Sequence, residues 1–236
     1  MFDNKGVSGL TSSVDDSGVR LLLIGPPGSG KGTQAKQLTD RFKVPHISTG
    51  DMLREQIRKG TALGDEAASF INDGNLVPDE LILSMLKVRL SQSDTSAGYV
   101  LDGFPRSAPQ AEALDEFLEN RKEGIRGAVL LILDDETIVS RLCNRRICPE
   151  CGRVYHLINH PPKTADRCDE YHCRATLIQR PDDNEMAIRN RLRIYHDQTK
   201  PVIAFYRDKG VLREIDASKE ILRVQIDIER ALEGDI

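Results

Sequence analysis

The strongest chemical signal is a glycine-rich loop that carries one lysine. It reads Gly25-Pro26-Pro27-Gly28-Ser29-Gly30-Lys31-Gly32-Thr33, after the apolar run 19–24 and before a helical pattern over 31–42. Glycines let the backbone curl so that several N–H groups point inward, and the following helix adds positive potential at the same place. We therefore predict a phosphate-binding loop with Lys31 as its main cation. Gly32 stands where Ser or Thr usually follows the lysine, and Thr33 comes one position later. The sequence alone therefore does not decide whether a hydroxyl group contacts Mg²⁺ directly.

Arginine gives the second signal, since ten arginines lie between positions 141 and 193. A guanidinium group keeps its charge and offers a planar donor fork that fits phosphate oxygens. Some of these side chains are expected to be ordinary solvated surface charge. Two phosphorylated substrates that meet head to head nevertheless need many cations, because phosphoryl transfer depends mainly on positioning and charge neutralisation. The segment therefore favours a phosphotransferase.

Four of the five cysteines are spaced like the ligands of a structural metal site. Cys148 and Cys151 are separated by two residues, and Cys168 and Cys173 by four. This arrangement predicts a structural zinc site, because a closed set of four ligands leaves no position for a catalytic water. His172 stays open as a competing fourth ligand. Cys143 is expected to be a free thiol.

Composition limits the class of protein. The 236 residues are 39% hydrophobic and 30% charged, with a net charge of −4, which is typical of a soluble globular protein and not of a nucleic-acid binder. Since the longest apolar runs fall well short of about 20 residues, we expect no transmembrane helix. Residues 1–18 lack the pattern of a secretion signal and are interpreted as a flexible extension. An odd number of cysteines, four of them spaced for a metal, favours a reducing compartment, and we expect a cytoplasmic monomer.

Alternating strands and helices predict a doubly wound, five-stranded parallel α/β fold. The predicted strands are 19–24, 44–47, 99–101, 128–133 and 211–215. The predicted helices are 31–42, 49–59, 61–72, 78–90, 108–119, 136–146, 181–200 and 221–232, with a kink or break at Lys200-Pro201. Ligands of such folds bind beyond the carboxyl ends of the strands, where Gly25, Thr49 and Asp102 fall.

Six motifs, in this order along the chain, resemble those of adenylate kinases of the long-lid type. They are GPPGSGKGT at 25–33, STGDMLR at 48–54, GNLVPD at 74–79, LDGFPR at 101–106, GRVYH at 152–156 and RPDD at 180–183. The glycine and threonine after the loop lysine are also the form found in that family. The resemblance implies reversible, Mg²⁺-dependent transfer of a phosphoryl group from ATP to AMP, giving two ADP. It also implies a P-loop nucleoside monophosphate kinase core over 19–47, 78–143 and 182–236, an AMP-binding helical insertion over 48–77 and a zinc-binding lid over 144–181.

The resemblance assigns roles to residues by matched position. ATP would be bound by Gly28, Ser29, Gly30, Lys31, Gly32, Thr33, Arg141, Arg145, Val154, Tyr155 and Lys219. AMP would be bound by Thr49, Arg54, Asn75, Leu76, Val77, Gly103, Arg106, Gln110, Arg180 and Arg191. Catalysis would depend on Lys31, Asp102, Arg106, Arg145, Arg180 and Arg191, with Asp102 organising the waters of Mg²⁺. The lid and the insertion would close over both nucleotides to exclude water, as adenylate kinase lids are known to do.

Other interpretations of the same residues stay open. Within enzymes, the alternative is a kinase for UMP, CMP or GMP, although Thr49, Val77 and Gln110 favour AMP and the long lid disfavours the short-lid UMP/CMP kinases. From another class, the alternative is a zinc-ribbon module that binds nucleic acid, which leaves the phosphate loop and the negative net charge unexplained. For single residues, Thr49 can be a helix cap, and Tyr155 can belong to the core of a small domain.

Overall fold

A five-stranded parallel sheet forms the centre of the molecule. The computed structural model describes residues 18–233, so the predicted extension, apart from Gly18, lies outside the described residues. The sheet contains β1 (Val19–Ile24), β2 (His46–Ser48), β3 (Gly98–Asp102), β4 (Gly127–Ile132) and β7 (Leu212–Asp216). Their spatial order is β2-β3-β1-β4-β7, and every neighbouring pair is parallel. This arrangement confirms the predicted fold class.

Helices cover both faces of the sheet, because the central strands are apolar on both sides. In β1, Leu22 and Ile24 pack into a core with α4 (Asp79–Leu90), α5 (Ala108–Glu119) and α8 (Lys200–Asp208). Leu21 and Leu23 pack into a second core with α1 (Lys31–Phe42) and α9 (Ile221–Ala231). Such burial on two faces is what continuous apolar strands require.

The functional segments meet at one edge of this sheet. The phosphate loop begins directly after β1, and the register pairs Leu23 of β1 with Asp102 at the end of β3. Ser48, the last residue of β2, is also paired with Asp102. The carboxyl ends of β1, β2 and β3 therefore place the loop and the two following motifs side by side.

Two short helices follow β2, in the range 48–77 that is predicted to be an insertion. α2 (Thr49–Arg58) begins at Ser48, whose hydroxyl accepts a hydrogen bond from the Asp51 N–H at 3.3 Å. α3 (Ala62–Asn72) begins at Thr61, whose hydroxyl accepts from Gly64 N–H at 3.1 Å. A Cβ atom at Gly64 would lie 2.3 Å from the Gln56 carbonyl oxygen, so only glycine lets the two helices approach this closely.

The predicted helix over 136–146 is wrong at its carboxyl end. α6 (Asp135–Cys143) stops at Cys143, and residues Arg145–Ile147 form a strand, β5. β5 pairs antiparallel with β6 (Val154–His156), and together they begin the inserted segment that holds the cysteines. No local helix breaker separates Cys143 from Arg145. The strand therefore depends on its pairing with residues 7 to 11 positions further along the chain.

The predicted long helix over 181–200 is divided into pieces. A 3₁₀ turn (Pro181–Asp183) precedes α7 (Glu185–Ile194), which Asn184 caps by accepting from Ala187 N–H at 2.9 Å. A π-helical turn (Tyr195–Thr199) then leads into α8 without a break. Since Pro201 has no N–H, the regular ladder cannot pass it, and the wider turn continues the helix instead. None of the helices within residues 18–233 is both long and apolar enough to span a membrane.

Candidate active site and metal centre

The phosphate loop has the conformation that its glycines allow. Gly25, Gly28 and Gly30 have positive φ angles of 147°, 79° and 99°. A Cβ atom at Gly25 would lie 2.7 Å from the Leu131 carbonyl oxygen. The Lys31 ammonium group donates hydrogen bonds of 2.8 Å to the carbonyl oxygens of Gly25 and Pro26. The lysine thus lies folded over the loop, in reach of any anion held there.

Burial lowers the pKa of Lys31 to about 8. Asp102 opposes this effect, whereas Arg106, Arg191 and Arg145 add to it by repulsion. A lysine with a lowered pKa keeps its charge only below that pKa, and phosphate binding requires the charged form. We therefore expect kcat/KM for ATP, which reports the free enzyme, to fall about tenfold per pH unit above pH 8.

The control for this pH dependence is kcat/KM for AMP measured at saturating ATP. Bound phosphate holds the proton on Lys31, so this second profile is expected to stay flat between pH 8 and pH 9. A fall of both profiles together would assign the titration to another group.

The group of residues predicted to bind AMP is built around Gly103, directly after β3. Its carbonyl oxygen accepts hydrogen bonds from the Thr49 hydroxyl at 2.9 Å and from Arg106 Nε at 2.6 Å. Gly103 has a φ of 78°, and a Cβ atom there would lie 3.0 Å from the Arg106 guanidinium group. Thr49 is therefore a buried link between α2 and this turn, and Ser48, not Thr49, caps the helix.

A cavity opens beside this turn, under the insertion. Its walls include Arg54 from α2, Val77 from the segment after α3, and Gly103, Arg106 and Gln110 from the segment after β3. The same cavity is bordered by Asn75, Leu76, Asp182 and Arg191. Nine of the ten residues predicted to bind AMP thus either line this cavity or bond to its wall. An apolar side with a few convergent polar groups is the usual form of a small-molecule site.

Five arginines and Lys31 form one cationic field between the loop and the cavity. Burial and the neighbouring cations Arg54 and Arg145 lower the pKa of Arg180 to about 10. Burial also lowers the pKa of Arg191 to about 10, with Arg145 and Arg106 adding repulsion. Arg180 Nε is buried and has no hydrogen-bond partner among residues 18–233. So many mutually repelling cations favour a polyanion in their midst.

Sequence reasoning missed the carboxylates that hold these arginines. The fully buried Asp183 accepts two hydrogen bonds from Arg145, at 2.8 and 2.6 Å. Asp182 accepts from Arg191 Nη1 at 2.9 Å. Both acids stand in the motif RPDD, at the start of the predicted helix over 181–200, with no role predicted for them. Their position close to Arg180 in the sequence was the signal that could have indicated a role beside the arginines of the site.

Asp51 is a further acid of this kind, and it lies between two arginines. Its Oδ1 atom is 2.6 Å from Arg54 Nη2 and 3.6 Å from Arg180 Nη2. Although partial burial opposes the effect, these two cations hold the pKa of Asp51 below its usual value. The carboxylate therefore acts as a counter-ion that keeps both guanidinium groups near the cavity.

Asp102 lies between the phosphate loop and the second strand. It is 8% exposed, and its Oδ2 is 3.4 Å from His46 Nε2. A Cβ atom at Gly32 would lie 3.6 Å from the same oxygen, which places the carboxylate against the first turn of α1. A buried carboxylate beside a phosphate loop is suited to orient the water shell of Mg²⁺.

The four residues predicted to bind ATP away from the reacting phosphates have mixed positions. Arg141 is half-buried and donates to the Ala217 carbonyl oxygen at 3.0 Å, while Lys219 pairs with Asp227 at 2.8 Å. Val154 is 46% exposed, but Tyr155 is 1% exposed, and its hydroxyl accepts from Asp169 N–H at 2.6 Å. The Tyr155 side chain thus belongs to the core of the lid, which leaves its backbone as the group that can face a nucleotide.

The four cysteines predicted as ligands converge in the lid. The sulfur atoms of Cys148, Cys151, Cys168 and Cys173 all lie within 4.8 Å of one another. The shortest separations are 3.2 Å between Cys148 and Cys173 and 3.5 Å between Cys151 and Cys168. Tetrahedral zinc with bonds of about 2.3 Å needs sulfur atoms about 3.8 Å apart, so this donor set fits structural Zn²⁺. Cys173 completes the set, whereas His172 is exposed and packs its ring edge against Tyr171.

Zinc removal is expected to lower stability before activity. The apolar core that surrounds the cysteines contains few other side chains, chiefly Tyr155 and Leu177. On the scale of a lost disulfide crosslink, which costs about 2–5 kcal/mol, a chain of this length should lose at least about 4 °C in Tm. Chelation in a protein that binds one zinc, followed by calorimetry and assays at low temperature, measures both effects.

Matched variants test the ligand set. Cys173→Ser should lose zinc affinity strongly, while His172→Ala and Cys143→Ser should keep one zinc per chain. Greater zinc loss in His172→Ala than in Cys173→Ser would contradict the assignment of the fourth ligand.

Comparisons with known proteins identify relatives of this chain. One family model, described as "Adenylate kinase", matches residues 23–211. A protein of Methanocella arvoryzae named "Adenylate kinase" is 50% identical over 214 residues, covering 91% of this chain and 98% of its own length. The proteins of that name from Archaeoglobus fulgidus and Clostridium perfringens are each 46% identical, over 91% and 92% of this chain and 98% and 99% of their own lengths.

Proposed function

Because the chain belongs to the adenylate kinase family, we propose that it transfers the γ-phosphoryl group of ATP to AMP. The reaction gives two ADP and is reversible, and Mg²⁺ accompanies ATP. One observation carries the proposal. Lys31 of the phosphate loop interacts electrostatically with Arg106, Arg145 and Arg191, so the donor loop and the wall of the acceptor cavity share one cationic field.

Positioning and neutralisation account for the chemistry. An oxygen of the AMP phosphate attacks the γ-phosphorus in line, and the bond to the β-phosphate oxygen breaks, with no covalent enzyme intermediate. Lys31 and the loop N–H groups stabilise the donor phosphates, and Arg106, Arg180 and Arg191 hold the acceptor phosphate. Asp102 would orient the waters of a Mg²⁺ ion bound with ATP, and that ion would supply charge neutralisation on the transferring and leaving groups.

Exclusion of water belongs to the same proposal. Hydrolysis of ATP competes with transfer whenever water reaches the γ-phosphorus. We propose that the lid over 144–181 and the insertion over 48–77 close over the two nucleotides and exclude water. Arg145, at the start of the lid, is held by Asp183 at the start of the segment that follows it. Closure of the lid would thereby be tied to the position of a cation that contacts ATP.

The protein is further proposed to act as a cytoplasmic monomer. The phosphate loop and the cavity assigned to AMP meet within one chain, which supports a monomer as the active unit. Four thiols arranged for zinc suit a reducing compartment. Analytical ultracentrifugation at assay concentration measures the oligomeric state.

The proposed function is tested by measuring kcat/KM for different nucleoside monophosphates as acceptors. Adenine fits a cavity that offers the Gln110 amide and an apolar wall, and a buried polar group left unmatched costs about 1–3 kcal/mol. We expect kcat/KM for AMP to exceed that for GMP, CMP and UMP by at least about tenfold. If a second monophosphate were used as efficiently as AMP, the alternative of a nucleoside monophosphate kinase with another acceptor would be favoured.

A further inference from the structure

We propose that Asp79 is a positioning residue that fixes the Gln110 amide in the orientation that reads adenine. By doing so, it sets the choice between adenine and 6-oxopurines at the acceptor site. The inference rests on the proposed role of Gln110 in binding AMP, and it adds a second residue that determines specificity without touching the base.

The amide of Gln110 is held at both ends. Its Nε2 donates to Asp79 Oδ1 at 2.5 Å, and its Oε1 accepts from the Arg106 backbone N–H at 2.7 Å. A carboxylate can only accept and a backbone N–H can only donate, so neither contact survives when the amide is turned over. Gln110 is 2% exposed, and solvent therefore cannot compensate for a wrong orientation.

Asp79 is itself held in place by two elements. It is the first residue of α4, where the helix dipole stabilises a negative charge. Its second oxygen, Oδ2, accepts from the Ser107 hydroxyl at 3.2 Å. The same hydroxyl caps α5 by accepting from Gln110 N–H at 3.3 Å. Both carboxylate oxygens are thus engaged by α5, and one of them is dedicated to the amide.

The remaining hydrogen-bonding capacity of the amide matches one class of purine. After these contacts, Gln110 keeps one N–H donor and one acceptor lone pair, and it lies at the wall of the acceptor cavity. Adenine presents an acceptor at N1 and a donor at N6, whereas hypoxanthine and guanine present a donor at N1 and an acceptor at O6. The same amide can read either edge, but only after a turn of 180°.

Asp79 makes that turn unfavourable. A turned amide would direct Oε1 at the carboxylate and Nε2 at the Arg106 N–H, so each contact would join two groups of the same kind. Discrimination of this form works by repelling the wrong ligand as well as by binding the right one. With asparagine at position 79, the side chain can donate or accept, so one of the two constraints disappears.

The test compares AMP with IMP, whose base differs at the reading edge and lacks the amino group of guanine. We expect Asp79→Asn to reduce the ratio of kcat/KM for AMP to that for IMP by about tenfold, mostly through KM of the acceptor. Glu80→Gln is the matched control, because it removes a charge from the same helix start at an exposed position. It should leave the ratio within twofold of the wild-type value.

A double-mutant cycle separates positioning from a purely structural role. If Asp79 acts through Gln110, Asp79→Asn should change the ratio no further in a Gln110→Leu background. An unchanged ratio in Asp79→Asn, with both acceptors weakened equally or the Tm lowered, overturns the inference while the proposed kinase function stands. Lack of AMP phosphorylation by the wild-type protein would instead reject the proposed function. An unchanged ratio in Gln110→Leu would overturn the inference, because the amide would then not read the base.

Discussion

Replacing Lys31 by methionine is expected to lower kcat about a thousandfold, with a smaller change in the affinity for ATP. Negative charge on the bridging and β-phosphate oxygens increases as the γ-phosphoryl group leaves, so a fixed ammonium group stabilises the transition state more than bound ATP. Loss of such a preorganised charge costs about 3–4 kcal/mol. The chain holds this group rigidly, through two carbonyl oxygens of the loop.

Lys36→Met is the matched control for this prediction. Lys36 lies on the same helix, is exposed, and loses the same charge on substitution. Its turnover should stay within about threefold of the wild-type value. Steady-state kinetics of both variants, with ATP binding measured separately, distinguish a loss of turnover from a loss of ATP affinity. If the turnover of Lys31→Met were within tenfold of the wild-type value, Lys31 would not contribute to catalysis as proposed.

Arg191→Lys is expected to lower kcat about a hundredfold, although it preserves the charge. The Arg191 guanidinium donates to both the backbone oxygen and the carboxylate of Asp182, and it lies 3.7 Å from Asp183. A planar fork anchored on this side presents its remaining N–H groups to the phosphates in a fixed plane. An ammonium group has no such second edge, so transfer should slow more than binding weakens.

The control for this variant lies two residues further along α7. Arg193 is exposed and contacts Asn190 and Asp197, so Arg193→Lys should behave like wild type. Single-turnover rates separate the chemical step from product release. Equal rates for Arg191→Lys and wild type would limit Arg191 to a structural contact with Asp182.

Local signals predicted the helices that position the site. α5 runs over Ala108–Glu119 as predicted, because Ser107 caps its first turn and Pro109 suits its second position. β2 begins later than predicted, at His46 instead of Val44. Pro45 has no N–H to give to the sheet and contributes only its carbonyl oxygen, to Val100 N–H at 3.0 Å.

Contacts between distant parts of the chain account for what the sequence did not reveal. The β5 strand exists because it pairs with β6 across the first cysteine knuckle, and that pairing outweighs the helical tendency of residues 144–146. Asp183 and Arg145 are 38 residues apart, and Asp79 and Gln110 are 31 apart. Residue types identified the cations of the site, whereas only the fold reveals which carboxylate orients each of them.

An experiment with labelled ATP shows whether the γ-phosphoryl group passes directly to AMP. The purified protein would be incubated with Mg²⁺, AMP and ATP labelled in the γ-phosphate, and the products would be separated after a single turnover. We expect the label to appear in the β-phosphate of ADP, in amounts equal to the AMP consumed, and to require AMP. Release of the label as inorganic phosphate, or a rate independent of AMP, would contradict direct transfer from ATP to AMP.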